Sequence, residues 1–312
     1  MLHLRVISPP DRTDDVVRVI EAAPGATNLV VLPGAARQPD GDLVLCDVVR
    51  EAGSPVLSAL RKLKIHETGS IAIDQVEVAL SHVAAAAADA APGLAGDAVV
   101  WDEIEQKTGD ETELSGTYLL MFAIAAIIAG IGVLFDQPIL IVGAMVVGPE
   151  FGPLAALCVG IVRKRPIFVK KSALALSVGF VTAMLATVGA TFLLDLAGLV
   201  DRSMLLQERP MTDFIWRPDA LSWVVGFLAG IAGMLSLTSS KAGPLIGVLI
   251  SVTTVPAAAN IAVAIAYWVP DEALGSAVQL LLNLAAIITA GLLTLLAQRW
   301  FWTMTARKAA RQ

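Results

Sequence analysis

The chain has 312 residues, of which 56% are hydrophobic and only 16% charged, with a formal net charge of −6. Ordinary soluble domains carry roughly 25% charged residues, so the excess apolar content must sit somewhere other than a water-facing surface. The charge is also uneven: residues 1–114 hold 9 basic and 19 acidic residues, a net of −10, and the remainder carries a net of +4. Two chemically different parts therefore meet near residue 115. The acidic first part argues against nucleic acid as a partner, because phosphate binding draws on clustered Lys and Arg.

In the first part, Leu2 to Ile7 alternates as a strand and Thr13 to Ala23 reads as a helix with Val16, Val19 and Ile20 on one face. Ala26 to Leu32 is a second strand, stopped by Pro33 and Gly34. After the turn Gln38-Pro39-Asp40-Gly41-Asp42 comes a third strand, Leu43 to Val49. Ser54-Pro55 offers an N-cap and a first-turn proline for a helix reaching about Lys64, striped by Leu57, Leu60 and Leu63. Ser70 to Leu80 alternates as a fourth strand through Ile71, Ile73, Val76 and Val78. The order βαββαβ over residues 1–82 predicts a soluble α+β ferredoxin-like domain, two helices on one face of an antiparallel sheet. That fold serves many functions and names none.

Ser8, Asp11 and Thr13, where the first strand feeds the first helix, are the candidate ligand residues of this domain, because a helix N-terminus attracts anions. Helix capping is the plainer reading of the same side chains. The ligand expected here is a small metabolite or a nucleotide, with no motif to choose between them. Cys46 and Cys158 fall in the two different parts and are expected to be free thiols, which suits a reducing cytosol for the first domain. No apolar run follows a basic start in residues 1–20, so the first hydrophobic helix is expected to direct insertion.

Residues 83–116 read as a linker: an Ala-rich stretch to 96, then a short amphipathic helix from Asp97 to Lys107 carrying Val99, Val100, Trp101 and Ile104. A transmembrane domain over 117–300 follows, with a basic tail at 301–312. A spanning helix needs about 20 mostly apolar residues. Tyr118–Phe135, Ile139–Val162, Ser172–Leu194, Leu221–Leu237, Pro244–Val269 and Leu274–Gln298 meet that need, giving six predicted spans. Basic residues gather on the cytosolic side. Arg163, Lys164, Arg165, Lys170 and Lys171, Lys241, and the tail with Arg299, Arg307, Lys308 and Arg311 then agree on cytosolic N- and C-termini. Arg202, Arg209 and Arg217, in the outer loop 195–219, strain that count. Trp216, Trp223, Trp268, Trp300 and Trp302 fall near the predicted interfaces.

Two spans are interrupted. The second contains Gly148-Pro149-Glu150-Phe151-Gly152-Pro153, and the fifth gathers Ser251, Thr253, Thr254 and Asn260 around Pro256. Each proline removes a backbone donor, and non-helical backbone at membrane depth persists only when buried in protein or lining a wet cavity. Six spans divided into two triplets, each with a broken middle member, predict a 3+3 inverted repeat, the layout of many secondary transporters. Gly148, Pro149, Glu150, Gly152, Pro153, Thr253, Thr254, Pro256 and Asn260 are the midplane candidates. Glu150 is the one acid well inside a predicted span; it reads either as a proton or cation site or as a carboxyl that holds the break in shape. Asn260, Gln279 and Asn283 read as interhelical hydrogen-bonding amides. Gly226, Gly230, Gly243 and Gly247 give small-residue spacings for close helix approach, inside one bundle or between subunits of a homo-oligomer.

His3, His66 and His82 stand at no ligand spacing, and no phosphate loop, dinucleotide fingerprint or nucleophile elbow is present, so neither a metal site nor enzyme chemistry is expected. The run Leu114 to Met121, the run Ile141 to Pro153 with its Gly-Ala-Met and Gly-Pro elements, and the segments Leu228 to Gly233, Gly247 to Pro256 and Asn283 to Ile287 resemble a bacterial membrane family catalogued as domain of unknown function 389. The likeness covers about residues 97–300. It implies a membrane fold with a cytosolic domain and no settled activity, and this chain departs from the family pattern in placing Glu150 where an apolar residue is usual. The expectation is a multi-pass protein of a bacterial inner membrane, transporter-like or channel-like, with a cytosolic regulatory domain. The alternative is a membrane-tethered sensor or scaffold whose helices anchor and oligomerise a ligand-binding domain.

Overall fold

The computed structural model describes residues 1–76, 81–90, 99–239 and 253–309. The chain divides into two compact units, one centred on Met1–Glu103 and one on Ile104–Leu237 with Lys241–Arg299.

The first unit runs β1 (Leu2–Ser8), α1 (Thr13–Glu21), β2 (Ala26–Arg37), β3 (Asp40–Val48), α2 (Arg50–Lys62), α3 (Ile65–Thr68), β4 (Ser70–Gln75) and α4 (His82–Ala90). The strands form one four-stranded sheet in the order β2-β3-β1-β4, every neighbour antiparallel. Alternation puts Leu2, Leu4 and Val6 on the covered face, and there Val16 and Ile20 of α1 and Val56, Leu57 and Leu60 of α2 close over them. Val100 joins that core as extended chain, and the amphipathic helix therefore begins only at Trp101, as α5 (Trp101–Asp110).

Two local expectations are corrected. The second strand continues past Pro33 to Arg37, because β2 is an edge strand and proline there removes no ladder hydrogen bond. The pairing register shifts between Leu32 and Ala36; Gly34 takes a positive φ of 61° and its N–H donates to Asp42 Oδ1 at 2.8 Å. The second helix starts at Arg50, so Ser54 is no N-cap and Pro55 lies inside. Ser54 Oγ instead donates to the Val99 carbonyl (3.1 Å) and accepts the Trp101 N–H (3.3 Å). The fourth strand stops at Gln75, and the expected positions Val78 and Leu80 lie outside the described residues.

The second unit contains α6 (Gly116–Leu134), α7 (Pro138–Val147), α8 (Phe151–Val162), α9 (Pro166–Leu196), α10 (Arg202–Leu206), a 3-10 turn (Asp213–Ile215), α11 (Ala220–Thr238), α12 (Thr254–Ala266) and α13 (Pro270–Ala309). Helices α6, α9, α11 and α13 are each long and apolar enough to cross a membrane, and α7 with α8, bent by 50°, makes a fifth if counted as one span. The fifth predicted span, Pro244–Val269, is represented among the described residues by α12 alone, 13 residues long, residues 240–252 lying outside them. Leu120, Leu185, Leu193 and Leu281 project outward from the long helices, a distribution that suits a lipid-solvated surface and not water.

Inside the unit, α12 packs on α6, α7 and α9. Phe122 sits edge-on to Tyr118 and Phe180, with ring centroids 5.9 and 4.8 Å away, in space that Gly179 leaves open. Along α11, Gly226 meets Asn283 and Ala286, and Gly230 meets Ile287 and Ala290, so the small-residue spacing serves a seam between α11 and α13. A Cβ at Gly230 would lie 2.8 Å from the Ala290 Cβ and 2.9 Å from the Ile287 carbonyl oxygen. Gly230→Val is therefore expected to cost about 1–3 kcal/mol through overpacking and to lower the melting temperature in detergent, while Gly189→Val, at a glycine with open space around it, leaves it nearly unchanged.

Candidate functional site

The interruption in the second span is built by its own residues. Gly148 N–H closes the last turn of α7 on the Ala144 carbonyl (3.0 Å), Pro149 has no N–H with which to continue, and the ladder resumes with Leu154 N–H on the Glu150 carbonyl (3.2 Å). Pro153 falls in the first turn of α8, where a missing N–H is harmless. Glu150 stands at the N-cap of α8 but its side chain does not cap the helix.

That side chain turns to the other interrupted segment. Thr254, the first residue of α12, donates its hydroxyl to Glu150 Oε1 at 2.8 Å. Glu150 is 4% exposed, and its Oε2 has no hydrogen-bond partner. A Cβ at Gly148 would come within 2.5 Å of that oxygen and 2.8 Å of Val255, so only glycine permits this approach of the two segments. Thr253 accepts a hydrogen bond from Asn283 Nδ2 (2.8 Å), which ties α13 to the same place. Pro256 lies in the first turn of α12. Gly148 and Glu150 of one break thus meet Val255 and Thr254 of the other, although about a hundred residues separate the two groups. Gly152 faces elsewhere, against the carboxylate of Glu111.

Asn260 belongs to a second buried cluster. Its Nδ2 donates to Glu272 Oε1 (3.0 Å) and to Ser276 Oγ (2.8 Å), and Glu272 also takes a hydrogen bond from Arg209 Nη2. Arg209 and Glu272 are 3% and 4% exposed. The outer-loop arginine that strained the charge count is thereby neutralised inside the protein, and Arg217 is engaged by Asp213 and by the ring of Trp216. The same loop is held down by Asp136, whose carboxylate accepts from Thr212 Oγ1 (2.9 Å) and Met211 N–H (3.3 Å). Sequence reasoning singled out Arg209 only as an anomaly. The signal available was Glu272, Ser276, Gln279 and Asn283, a polar line at i, i+4, i+7 and i+11 in an apolar helix.

A cleft of about 230 Å³ lies between the end of α5 and the start of α9, lined by Glu105, Gly109, Glu113, Phe168 and Lys171 among others. At its edge Glu105, itself buried, pairs with Arg163 and Arg165. Burial, together with Asp110 beside it, raises the Glu111 carboxyl above its ordinary range.

In the sheet unit, Ser8 is buried and donates to the Pro9 carbonyl, whereas Asp11 is exposed beside Arg12. Thr13 Oγ1 donates to Asp42 Oδ2 at 2.7 Å, so the start of α1 already has a carboxylate of this chain against it. The Thr13 hydroxyl first, and then the Gly34 N–H, hold the Asp42 carboxyl below the usual carboxylate range against the opposing effect of burial. Burial and the neighbouring Asp47 push the Cys46 thiol up to about 11, which keeps it an inert thiol. Among the described residues no group of three or more His, Cys, Asp or Glu side chains is placed to hold a metal ion.

Several long apolar helices, outward leucines and a bent pair broken at Gly148-Pro149 define a multi-pass membrane protein. Residues 145–289, which include the Gly-Pro element, match the model of a family described as domain of unknown function (DUF389). An uncharacterized protein of Methanocaldococcus jannaschii is 25% identical over 215 residues, which are 67% of this chain and 64% of that relative. The match thus spans less than two thirds of the relative's length. No solved structure matches the chain.

Two outcomes follow from the buried groups. Asp42, with its pKa lowered on folding, contributes stability that is fully present above the unfolded value of about 3.9 and is lost as pH falls toward the lower folded one. Asp42→Asn should melt below wild type at pH 7 and converge with it in acid, as followed by circular dichroism. Glu272→Ala strands a buried guanidinium and should cost about 3–5 kcal/mol, while Arg209→Met combined with Glu272→Leu should recover most of that loss in the same melting assay.

Proposed function

We propose that this protein moves a solute or ion across a membrane, as a transporter-like or channel-like protein, and catalyses no reaction. The observation that carries the reading is the meeting of the Gly148-Pro149-Glu150 break with the start of α12, where a buried carboxylate has one hydroxyl partner and one unpartnered oxygen. A carboxylate at membrane depth costs at least a few kcal/mol, so its retention favours a role in permeation over a role in shape alone. Helix starts converging on an interior carboxylate also match how transporter sites are assembled from discontinuous helices. In this reading α6 to α9 form one triplet and α11 to α13 the second, inverted copy, six spans in all, with both termini in the cytosol of a bacterial inner membrane.

The sheet unit is read as a ferredoxin-like regulatory domain, supported by the element order and by the sheet order β2-β3-β1-β4. It regulates by binding a small ligand, a metabolite or nucleotide, or by self-association in a homo-oligomer. Ser8, Asp11 and Thr13 remain its candidate contacts, with Thr13 reached only if Asp42 yields its hydrogen bond.

A cysteine scan tests the permeation reading. With Cys46 and Cys158 replaced, single cysteines at 143–156 and 253–262 are treated with a charged thiol reagent in membranes. Reaction at positions 149, 150 and 254 is expected, and uniform silence across both segments would remove the basis for a wet site.

A further inference from the structure

We infer that a hydrated proton path runs along one face of α13, from the Arg209–Glu272 pair to Glu150. This deepens the permeation reading of the same site by naming its ion.

Glu272, Ser276, Gln279 and Asn283 fall on one stripe of α13 and are all buried, at 4%, 0%, 1% and 2% exposure. Their contacts run in sequence between the two polar clusters. Glu272 and Ser276 hold Asn260 at one end, and Asn283 holds Thr253, the residue before Thr254 and its bond to Glu150, at the other. Eleven residues at 1.5 Å rise make the stripe about 16 Å long, roughly half the thickness of a bilayer's hydrocarbon core.

The stripe is also incompletely paired, and in a repeating way. Arg209 Nε and Nη1, Asn260 Oδ1, Gln279 Oε1 and Glu150 Oε2 are all buried without a hydrogen-bond partner among the described residues. Buried polar atoms are otherwise almost always bonded, to protein or to ordered water. One orphan would be a local flaw; donors at one end and acceptors at successive levels down to the carboxylate are a set of groups that a file of waters satisfies. Hydroxyls and amides orient such waters, and the waters carry the proton.

The terminal group suits a proton better than a metal cation. Among the described residues Glu150 has the Thr254 hydroxyl as its one hydrogen-bond partner, and no Lys or Arg forms an ion pair with it. The titratable groups on the elements around it are Tyr118 of α6, whose hydroxyl is committed to the Ala175 carbonyl, Cys158 of α8, Lys170, Lys171 and Asp195 of α9, and Asp271, Glu272 and Arg299 of α13, with Glu111 lying over Gly152. Among the described residues none of these forms a hydrogen bond or ion pair with Glu150. Glu150 takes a proton from the last water as a carboxylate and returns it as a carboxylic acid, and only O–H bonds form and break.

The test uses the full chain in liposomes loaded with a pH-sensitive dye, with a potassium-diffusion potential as the driving force. Wild type should acidify or alkalinise the lumen faster than empty vesicles, and Glu150→Gln should fall to the empty-vesicle rate. Gln279→Met, nearly equal in volume but without polar atoms, should slow flux about tenfold, the scale of one lost hydrogen bond in the barrier. The lipid-facing change Val278→Ala should leave flux unchanged. Elution and melting profiles establish that each variant is folded; should Gln279→Met fail to fold, Ser276→Val takes its place. Wild-type flux no faster than empty vesicles, or full flux in a folded Gln279→Met, overturns the path. If positions 149 and 150 nevertheless react with the thiol reagent, the permeation reading stands and only its ion is wrong.

Discussion

A carboxylate removed from water must be answered by protein, and the answer Glu150 receives is a single hydroxyl from a helix that starts about a hundred residues later. Much of the helical unit follows from letting those two groups meet. The close approach requires glycine at 148, the absence of a backbone donor at Pro149 frees the segment to turn, and α12 must begin at Thr254 for the hydroxyl to point inward. Asn283 then fixes α13 to the residue before it, and Gly226 and Gly230 let α11 lie against α13. Polar contact sets the positions; small residues allow the helices to take them.

The two ends of α13's buried stripe differ in kind. At one, Arg209 and Glu272 cancel each other's charge and also secure the loop that carries Arg209. At the other, Glu150 is bonded to one donor and pairs with no basic side chain among the described residues. The first arrangement cancels its charge within the protein; the second leaves a buried carboxylate held by one hydroxyl.

How much of this was legible in the sequence depended on the range of the interaction. Strands, helices and the break at Gly148-Pro149 were readable because period, proline and glycine act within a few residues. The second strand was misjudged because Pro33 breaks a central strand but not an edge, and edge position is a property of the whole sheet. Ser54-Pro55 misled in the same way: the pair looks like a helix start, whereas the Ser54 hydroxyl serves Val99 and Trp101, some 45 residues on. Glu150 and Thr254 were each picked out locally as members of broken spans, but their contact was not readable from either. Arg209 was the clearest loss, since charge counting treats a buried, paired arginine and an exposed one alike.

The irregular end of β2 bears on how such a chain keeps to itself. A sheet edge is an invitation to any passing strand, and self-association of the wrong kind is a standing hazard for such an edge. Here the outer strand carries a residue with no donor at Pro33, then a glycine whose N–H is drawn inward to Asp42, and its register slips at the same point. A second chain approaching that edge would find its ladder broken after Leu32. What looked in the sequence like the end of a strand is a stretch of strand made unfit for company.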